Sequence, residues 1–268
     1  MFDARFIRLI ARAVLTLVVG GLVASPVGFA QTPADGQGKV KVEWLGHEFY
    51  RLTSPKGVVV ITSPWLTNPD GPVPLDGLAR TDFILVPNSH NDDMGNPVEI
   101  AALSGATVIA PGPLGLWLIE KGLKQEQFRR AGIGDRFVLK DITFKIGPSA
   151  HDNTLATGAD GGPAASFFIT FENGFTVFYN GHSTLIGDLP LYASLYQPNL
   201  AILGLAGDPP EFAQVARLMT SNNPKLRTII PSHVRPGAPI LAEGKRELDR
   251  LGIGGLMFVP ELKKIYEY

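Results

Sequence analysis

The ten residues Val86-Pro87-Asn88-Ser89-His90-Asn91-Asp92-Asp93-Met94-Gly95 decide how the rest of this chain is read. The apolar run over residues 83–86 leads into them and predicts a short buried strand. Asn96-Pro97-Val98-Glu99 leads out, with Asn96 at a capping position and Pro97 suited to the first turn of a helix. Between strand and helix, one imidazole, two carboxylates and two amides fall within six residues. Alone, such a loop also reads as a polar turn, because turns are rich in Asn and Asp. Metal and hydrolytic sites, however, are built from these same groups on loops held by rigid elements.

The rest of the chain tips that balance. Its five histidines are His47, His90, His151, His182 and His233, and each follows a predicted apolar strand. Those strands cover residues 39–45, 83–86, 141–146, 175–179 and 226–230. Ligands of α/β folds gather beyond the carboxyl ends of strands. Five histidines out of five in that position point to one shared site, and histidine is the commonest metal ligand.

Further elements follow from periodicity and turn chemistry. Strands are expected over 49–52 and 58–62, split by the turn Ser54-Pro55-Lys56-Gly57, and over 106–110. Helices are expected over 97–103 and over 114–121, the latter stopped by Gly122. A hairpin over 165–179 turns at Glu172-Asn173-Gly174. A buried strand over 200–205 runs toward Asp208, read as the N-cap of a helix over 210–219. A helix over 242–251 and a strand over 256–259 close the chain.

At the start, Arg5, Arg8 and Arg12 precede an apolar run over 13–24, with small residues at Gly28 and Ala30. That pattern predicts a bacterial signal peptide over 1–30, cleaved after Ala30, and a periplasmic or secreted protein. The run is shorter than the ~20 apolar residues a membrane span needs, so no stable anchor is expected after cleavage. Residues 31–38 read as a disordered lead-in, and 39–268 as one α/β domain. The chain has no cysteine, which excludes disulfides and thiolate ligands. Its net charge of −1 without a basic cluster argues against a nucleic-acid partner, leaving a small molecule as the expected one.

From about Val40 onward the chain resembles the metallo-β-lactamase fold superfamily. It is most like the branch of broad metal-dependent hydrolases that includes the L-ascorbate-6-phosphate lactonases. The residues carrying the likeness are Trp44-Leu45-Gly46-His47, the loop after Val86, His151, Asn180-Gly181-His182 and Pro231-Ser232-His233. The resemblance implies a four-layer αββα sandwich of two similar halves with the site between them at one edge. The chain departs from the family loop His-x-His-x-Asp-His, whose positions hold Asn88, His90, Asp92 and Asp93. The acid that usually bridges two metals is His182 here, and the supporting acid before a proline is Ser63.

These substitutions exchange imidazole and carboxylate between positions, so the chain keeps a full complement of donors. Expected metal ligands are His90, Asp92, Asp93, His151, His182 and His233, with Asp92 or Asp93 as the base if not a ligand. The metal is expected to be zinc, with manganese or iron open, and one ion is favoured over two. His47, Trp65, Asn88, Asn91 and Ser183 are read as lining the substrate or supporting the ligands, and Asn153 as orienting substrate. The function expected is hydrolysis of an ester, lactone or phosphoester by metal-activated water, with β-lactams disfavoured. The alternative is a non-catalytic periplasmic binding or accessory protein whose metal site has decayed.

Overall fold

The computed structural model describes residues 38–268. The expected signal peptide, and all but residue 38 of the lead-in, lie outside the described residues.

The described chain opens with an antiparallel run of β1 (Lys41–Gly46), β2 (Phe49–Thr53) and β3 (Val59–Thr62). Side chains of a strand alternate between faces. Accordingly Val42, Trp44, Tyr50, Leu52 and Val60 join one core, while Leu45, Phe49 and Ile61 join another on the opposite face. The strands β4 (Phe83–Leu85), β5 (Thr107–Ala110) and β6 (Phe128–Arg130) then add in parallel. Parallel neighbours need crossovers. They are supplied by a short helix α1 (Asn91–Met94) with α2 (Pro97–Ser104), and then by α3 (Gly112–Glu120).

The second half repeats this plan. The strands β7 (Arg136–Leu139), β8 (Ile142–Pro148), β9 (Ala165–Thr170) and β10 (Thr176–Tyr179) form an antiparallel meander. Then β11 (Leu200–Gly204) and β12 (Thr228–Ser232) add in parallel, connected through α4 (Leu189–Tyr196) and α5 (Pro209–Thr220). After α6 (Ile240–Arg250), the final strand β13 (Ile265–Glu267) returns to pair antiparallel with β1. Two sheets result among the described residues, ordered β13-β1-β2-β3-β4-β5-β6 and β12-β11-β10-β9-β8-β7.

The sheets face each other across one core, in which Phe83 of the first meets Phe144 of the second edge to face at 5.2 Å. A separate apolar layer fills the space beneath α2 and α3, where Ile84 and Val108 meet Ile100, Leu114 and Leu118. On the far side α5 buries Phe212, Val215, Ala216 and Met219. The layers therefore run helix, sheet, sheet, helix, as the family resemblance implies. Among the described residues, no helix is long and apolar enough to cross a membrane.

Two local expectations are corrected. Residues 256–259 form no strand: Met257 makes a single bridge to Ile229 after a 3-10 turn over Gly254–Leu256. Pro260 lacks the N–H that would extend a ladder there, and the closing strand is β13. Asn96 occupies the N-cap position of α2, but its side chain does not cap. Its carbonyl oxygen accepts from the Leu66 N–H at 3.2 Å, so it ties the loop at 63–66 to the helix instead. By contrast Asp208 caps α5 as expected, accepting from the Glu211 N–H at 3.0 Å.

Candidate metal centre

Each histidine lies at the same edge of a strand pair, just past a strand end. The first sheet supplies His47 after β1, and His90, Asp92 and Asp93 after β4. The second supplies His151 after β8, His182 after β10 and His233 after β12. Neither half of the chain holds a complete set, so the site exists only where the two sheets meet.

Backbone shape aims these side chains. His47, His182 and His233 have φ of 55°, 62° and 57°, the left-handed region that costs a non-glycine residue roughly 1–2 kcal/mol. Such strain gathers at functional sites, where the surrounding fold holds it. In the organising loop, α1 is one turn long and starts from the His90 carbonyl, which accepts from Asp93 N–H at 3.0 Å. It ends at Gly95, where φ is 64° and an added Cβ would lie 2.2 Å from the Pro64 carbonyl oxygen. Only glycine lets this turn seat against Ser63-Pro64.

The five imidazoles form a continuous series. Ring centroids are 4.0 Å apart for His47 and His233, and 3.7 Å for His233 and His182. The series continues at 4.5 Å from His182 to His151 and 4.8 Å from His151 to His90. Asp93, fully buried, stands at its centre. Its Oδ2 is 3.7 Å from His151 Nε2 and 3.6 Å from His182 Nδ1, and its Oδ1 is 3.9 Å from His233 Nε2. Asp92, half-buried, has its Oδ2 3.4 Å from His233 Nε2 and 3.6 Å from His47 Nε2. His90 Nδ1 faces His151 Nε2 at 3.2 Å, while its other ring nitrogen is 3.5 Å from Asp152. A ring nitrogen aimed inward with a carboxylate behind the other is the usual support of a metal-binding histidine.

These separations fit a metal better than a hydrogen-bond network. Donors about 2.1 Å from an ion at tetrahedral angles sit about 3.4 Å from one another, whereas hydrogen-bonded N and O atoms approach to about 2.9 Å. Among the described residues, the buried Asp93 Oδ1, His182 Nδ1 and His47 Nδ1 have no hydrogen-bond partner. Buried polar atoms are rarely left so. Two sets have ligand atoms all within 4.8 Å of one another, His47 with Asp93 and His233, and His90 with Asp93 and His151. The donors are imidazole and carboxylate, which suits a divalent transition ion.

Electrostatics keep the carboxylates charged. Burial pushes the Asp93 carboxyl upward, but the imidazoles of His151 and His182 and the charge of His233 hold it well below the usual range. Asp92 is lowered chiefly by its contact with His233. Burial, reinforced by His233, lowers His47 to about 4, so it stands neutral with a lone pair available. For His233, burial pulls down but is outweighed by Asp92 and then Glu48, and the net shift is upward.

The other expected residues are placed as follows. Asn88 donates to Asp93 Oδ2 at 3.0 Å and accepts from the His90 N–H at 3.0 Å, which locks the loop around the acid. Ser183 accepts from the Ala150 N–H, and Asn153 bonds the Ser89 N–H and the Gly162 carbonyl, so both hold backbone together. Asn91 is exposed at the start of α1. Trp65 meets His47 edge-on at 5.5 Å and helps line a cleft of about 280 Å³ with His47, Asp92, His233 and Arg235.

One site residue escapes the sequence reading. Glu48, fully buried, accepts from the Tyr179 hydroxyl at 2.6 Å and from Ser232 at 3.1 Å. The Tyr179 hydroxyl is also 2.5 Å from Ser63 Oγ. Burial, with Asp93 adding to it, raises the Glu48 carboxyl to about 8. This strut crosses from one sheet to the other directly beside His47 and His233. It also returns an acid to the neighbourhood of Ser63, where the family resemblance implies one. The available signal was an acidic residue opening the apolar strand at Phe49-Tyr50.

The chain is 32% identical over 253 residues to a UPF0173 metal-dependent hydrolase of Cupriavidus taiwanensis, covering 84% of this chain and 87% of that protein. A UPF0173 metal-dependent hydrolase of Koribacter versatilis is 30% identical over 219 residues, 79% of this chain and 91% of the relative. No family model matches the chain. Among solved structures, a metallo-hydrolase of the archaeon Ignicoccus hospitalis matches with a TM-score of 0.72 at 22% identity, over 86% of this chain and 98% of that one. A metallo-β-lactamase fold protein of Bacillus subtilis matches with a TM-score of 0.63 at 13% identity, over 86% and 100% of the two chains. The structural likenesses carry the fold, and the sequence identity carries the family. The chain belongs to the UPF0173 metal-dependent hydrolases and has the metallo-β-lactamase fold.

Proposed function

We propose that this metal-dependent hydrolase is exported to the periplasm and cleaves an ester, lactone or phosphoester bond of a small molecule, with zinc preferred over manganese or iron. The observation that supports it is the convergence of five imidazoles and two anionic carboxylates beside an open cleft. A divalent ion bound there lowers the pKa of water and polarises the bond under attack. The chain's own groups divide the remaining tasks. Asp93, buried and anionic, serves as a ligand. Asp92 lines the cleft, is half-buried and stays anionic, so it is the group placed to take a proton from an attacking water. Trp65 offers an apolar wall to the substrate, and His47 and His233 hold Asp92 in place.

The test is metal content and turnover of an ester, lactone and phosphoester panel by untagged protein from the periplasm. A stoichiometric transition metal together with turnover is expected. His151→Ala should lose metal and lower turnover by roughly 100-fold or more, since a lost ligand removes several kcal/mol of charge stabilisation. Turnover untouched by that variant would overturn the mechanism. Absence of turnover, with His151→Ala and His233→Ala changing only binding or stability, would favour the accessory-protein reading. Amino-terminal sequencing of the periplasmic form checks export, with a start at Gln31 expected.

A further inference from the structure

The cleft of about 280 Å³ beside the cluster has a cationic rim. Arg235 lines it together with His47, Asp92 and His233, and Trp65 forms an apolar wall. Among the described residues, Arg235 is the one lysine or arginine lining that cleft. It follows His233 by two positions, which keeps the two Cα atoms within about 7 Å of each other. The backbone around it is fixed on both sides. Val234 is buried, and the Arg235 carbonyl accepts from the Ala238 N–H at 3.1 Å to close a turn. A side chain that is 72% exposed is thus carried on a settled stretch of chain.

One partner orients the guanidinium without saturating it. Asp70, from the other half of the chain, has its Oδ2 3.5 Å from Arg235 Nε. Charge-assisted N–H···O bonds are about 2.7–2.9 Å long, so this is a loose ionic contact. The loop carrying Asp70 is itself pinned. The Asp70 N–H donates to Oδ1 of the buried Asn68 at 3.0 Å, and Lys263 donates to the Pro72 carbonyl at 3.1 Å. The second carboxylate lining the cleft, Asp92, is turned to His233 and His47 at 3.4 and 3.6 Å. Among the described residues the Arg235 side chain makes no hydrogen bond, which leaves the fork of its two terminal nitrogens to a ligand. Such a planar fork matches two oxygens of a carboxylate or phosphate.

We propose that Arg235 binds an oxyanion of the substrate, a carboxylate or phosphate set apart from the bond that is cleaved. This rests on the hydrolase reading above and names the class of molecule the site takes, a small anionic compound whose apolar body lies against Trp65. The cleft stands at the lower end of ligand pockets, which run from about 300 to 1,000 Å³, and so suits a compact molecule. Arg235 determines specificity through binding and takes no part in bond cleavage.

The experiment compares aryl acetates that differ only at the para position: para-acetoxybenzoate, its methyl ester and para-acetoxyphenylphosphonate. A para anion cannot reach the acetyl group, so it does not assist its own hydrolysis. Values of kcat/KM are measured for wild type, Arg235→Ala and Arg235→Lys. The ratio of wild type to variant, taken substrate by substrate, cancels intrinsic reactivity. Alanine should cost the anions roughly 10- to 100-fold more than it costs the methyl ester, as expected for a lost hydrogen bond to a charged group, and the loss should fall on KM. Lysine keeps the charge without the fork and should recover part of it. The anion with the larger loss identifies the group as carboxylate or phosphate. Equal losses for the anions and the methyl ester overturn the anion site and leave the hydrolase reading intact. If the wild type turns over no ester, the ester-hydrolase reading falls, and calorimetric titration with para-hydroxybenzoate decides the role of Arg235 separately. Binding weakened about 10-fold or more by Arg235→Ala supports the anion site, whereas equal affinity, or no binding to either protein, overturns it.

Discussion

At the scale of single residues, acid and imidazole groups gather around one edge of the fold. Asp93 stands where the family resemblance implies an imidazole, and His182 where it implies an acid. Glu48 places a third acid behind the site, where Tyr179, Ser63 and Ser232 join it in one buried network. Glu48→Ala would take an acceptor from the Tyr179 and Ser232 hydroxyls, at about 1–3 kcal/mol for Ser232 and less for Tyr179, which keeps Ser63 as a partner. Glu48→Gln keeps one carbonyl acceptor and should cost less. Thermal unfolding checks the order, with alanine expected to lower the melting temperature by ~5 °C or more and glutamine by less. Equal melting temperatures for all three proteins would show that the strut carries no stability.

At the scale of elements, strand ends and one short helix place the chemistry. Gly95 closes α1 against the Pro64 carbonyl, with no room for a methyl group. Gly95→Ala combines a clash with an unfavourable positive φ, so it should cost more than ~1 kcal/mol. It should also weaken metal binding although Gly95 is no ligand, because α1 carries Asp92 and Asp93. Calorimetric titration with zinc would detect this, and an unchanged affinity would mean that the loop position is set elsewhere. Asp208→Ala is the contrasting case. Losing that cap should cost about 1 kcal/mol, or ~2–4 °C in melting temperature, and leave metal content unchanged. The hairpin over β9 and β10 and the cap of α5 were legible because adjacent residues encode them. The strands β6 and β7, the helix α4 and the closing β13 were not. Each is short, and edge position or tertiary pairing decides its conformation more than its own periodicity does.

At the scale of the whole molecule, two similar halves each contribute part of one site, so folding and metal binding are linked. Saturating zinc should therefore raise the melting temperature. At about 100-fold over the dissociation constant a single site contributes ~2.7 kcal/mol, or roughly 5–10 °C, and a chelator should reverse it. A melting temperature indifferent to both would mean that the donors bind no ion in the native state. The alternation of apolar residues, the turn signals and five histidines after five strands sufficed to expect an α/β domain with one shared site, while the four-layer sandwich was what the family resemblance implied. Those features are local: strand period, chain punctuation and residue type are read from near neighbours. Tertiary structure alone decided which oxygen of Asp93 faces which imidazole, and that Glu48 meets Tyr179 and Ser232. The Glu48 contacts link residues more than 130 positions apart in sequence. Their distances are set by how two sheets pack, and packing is a property of the assembled core that no single stretch of the chain contains.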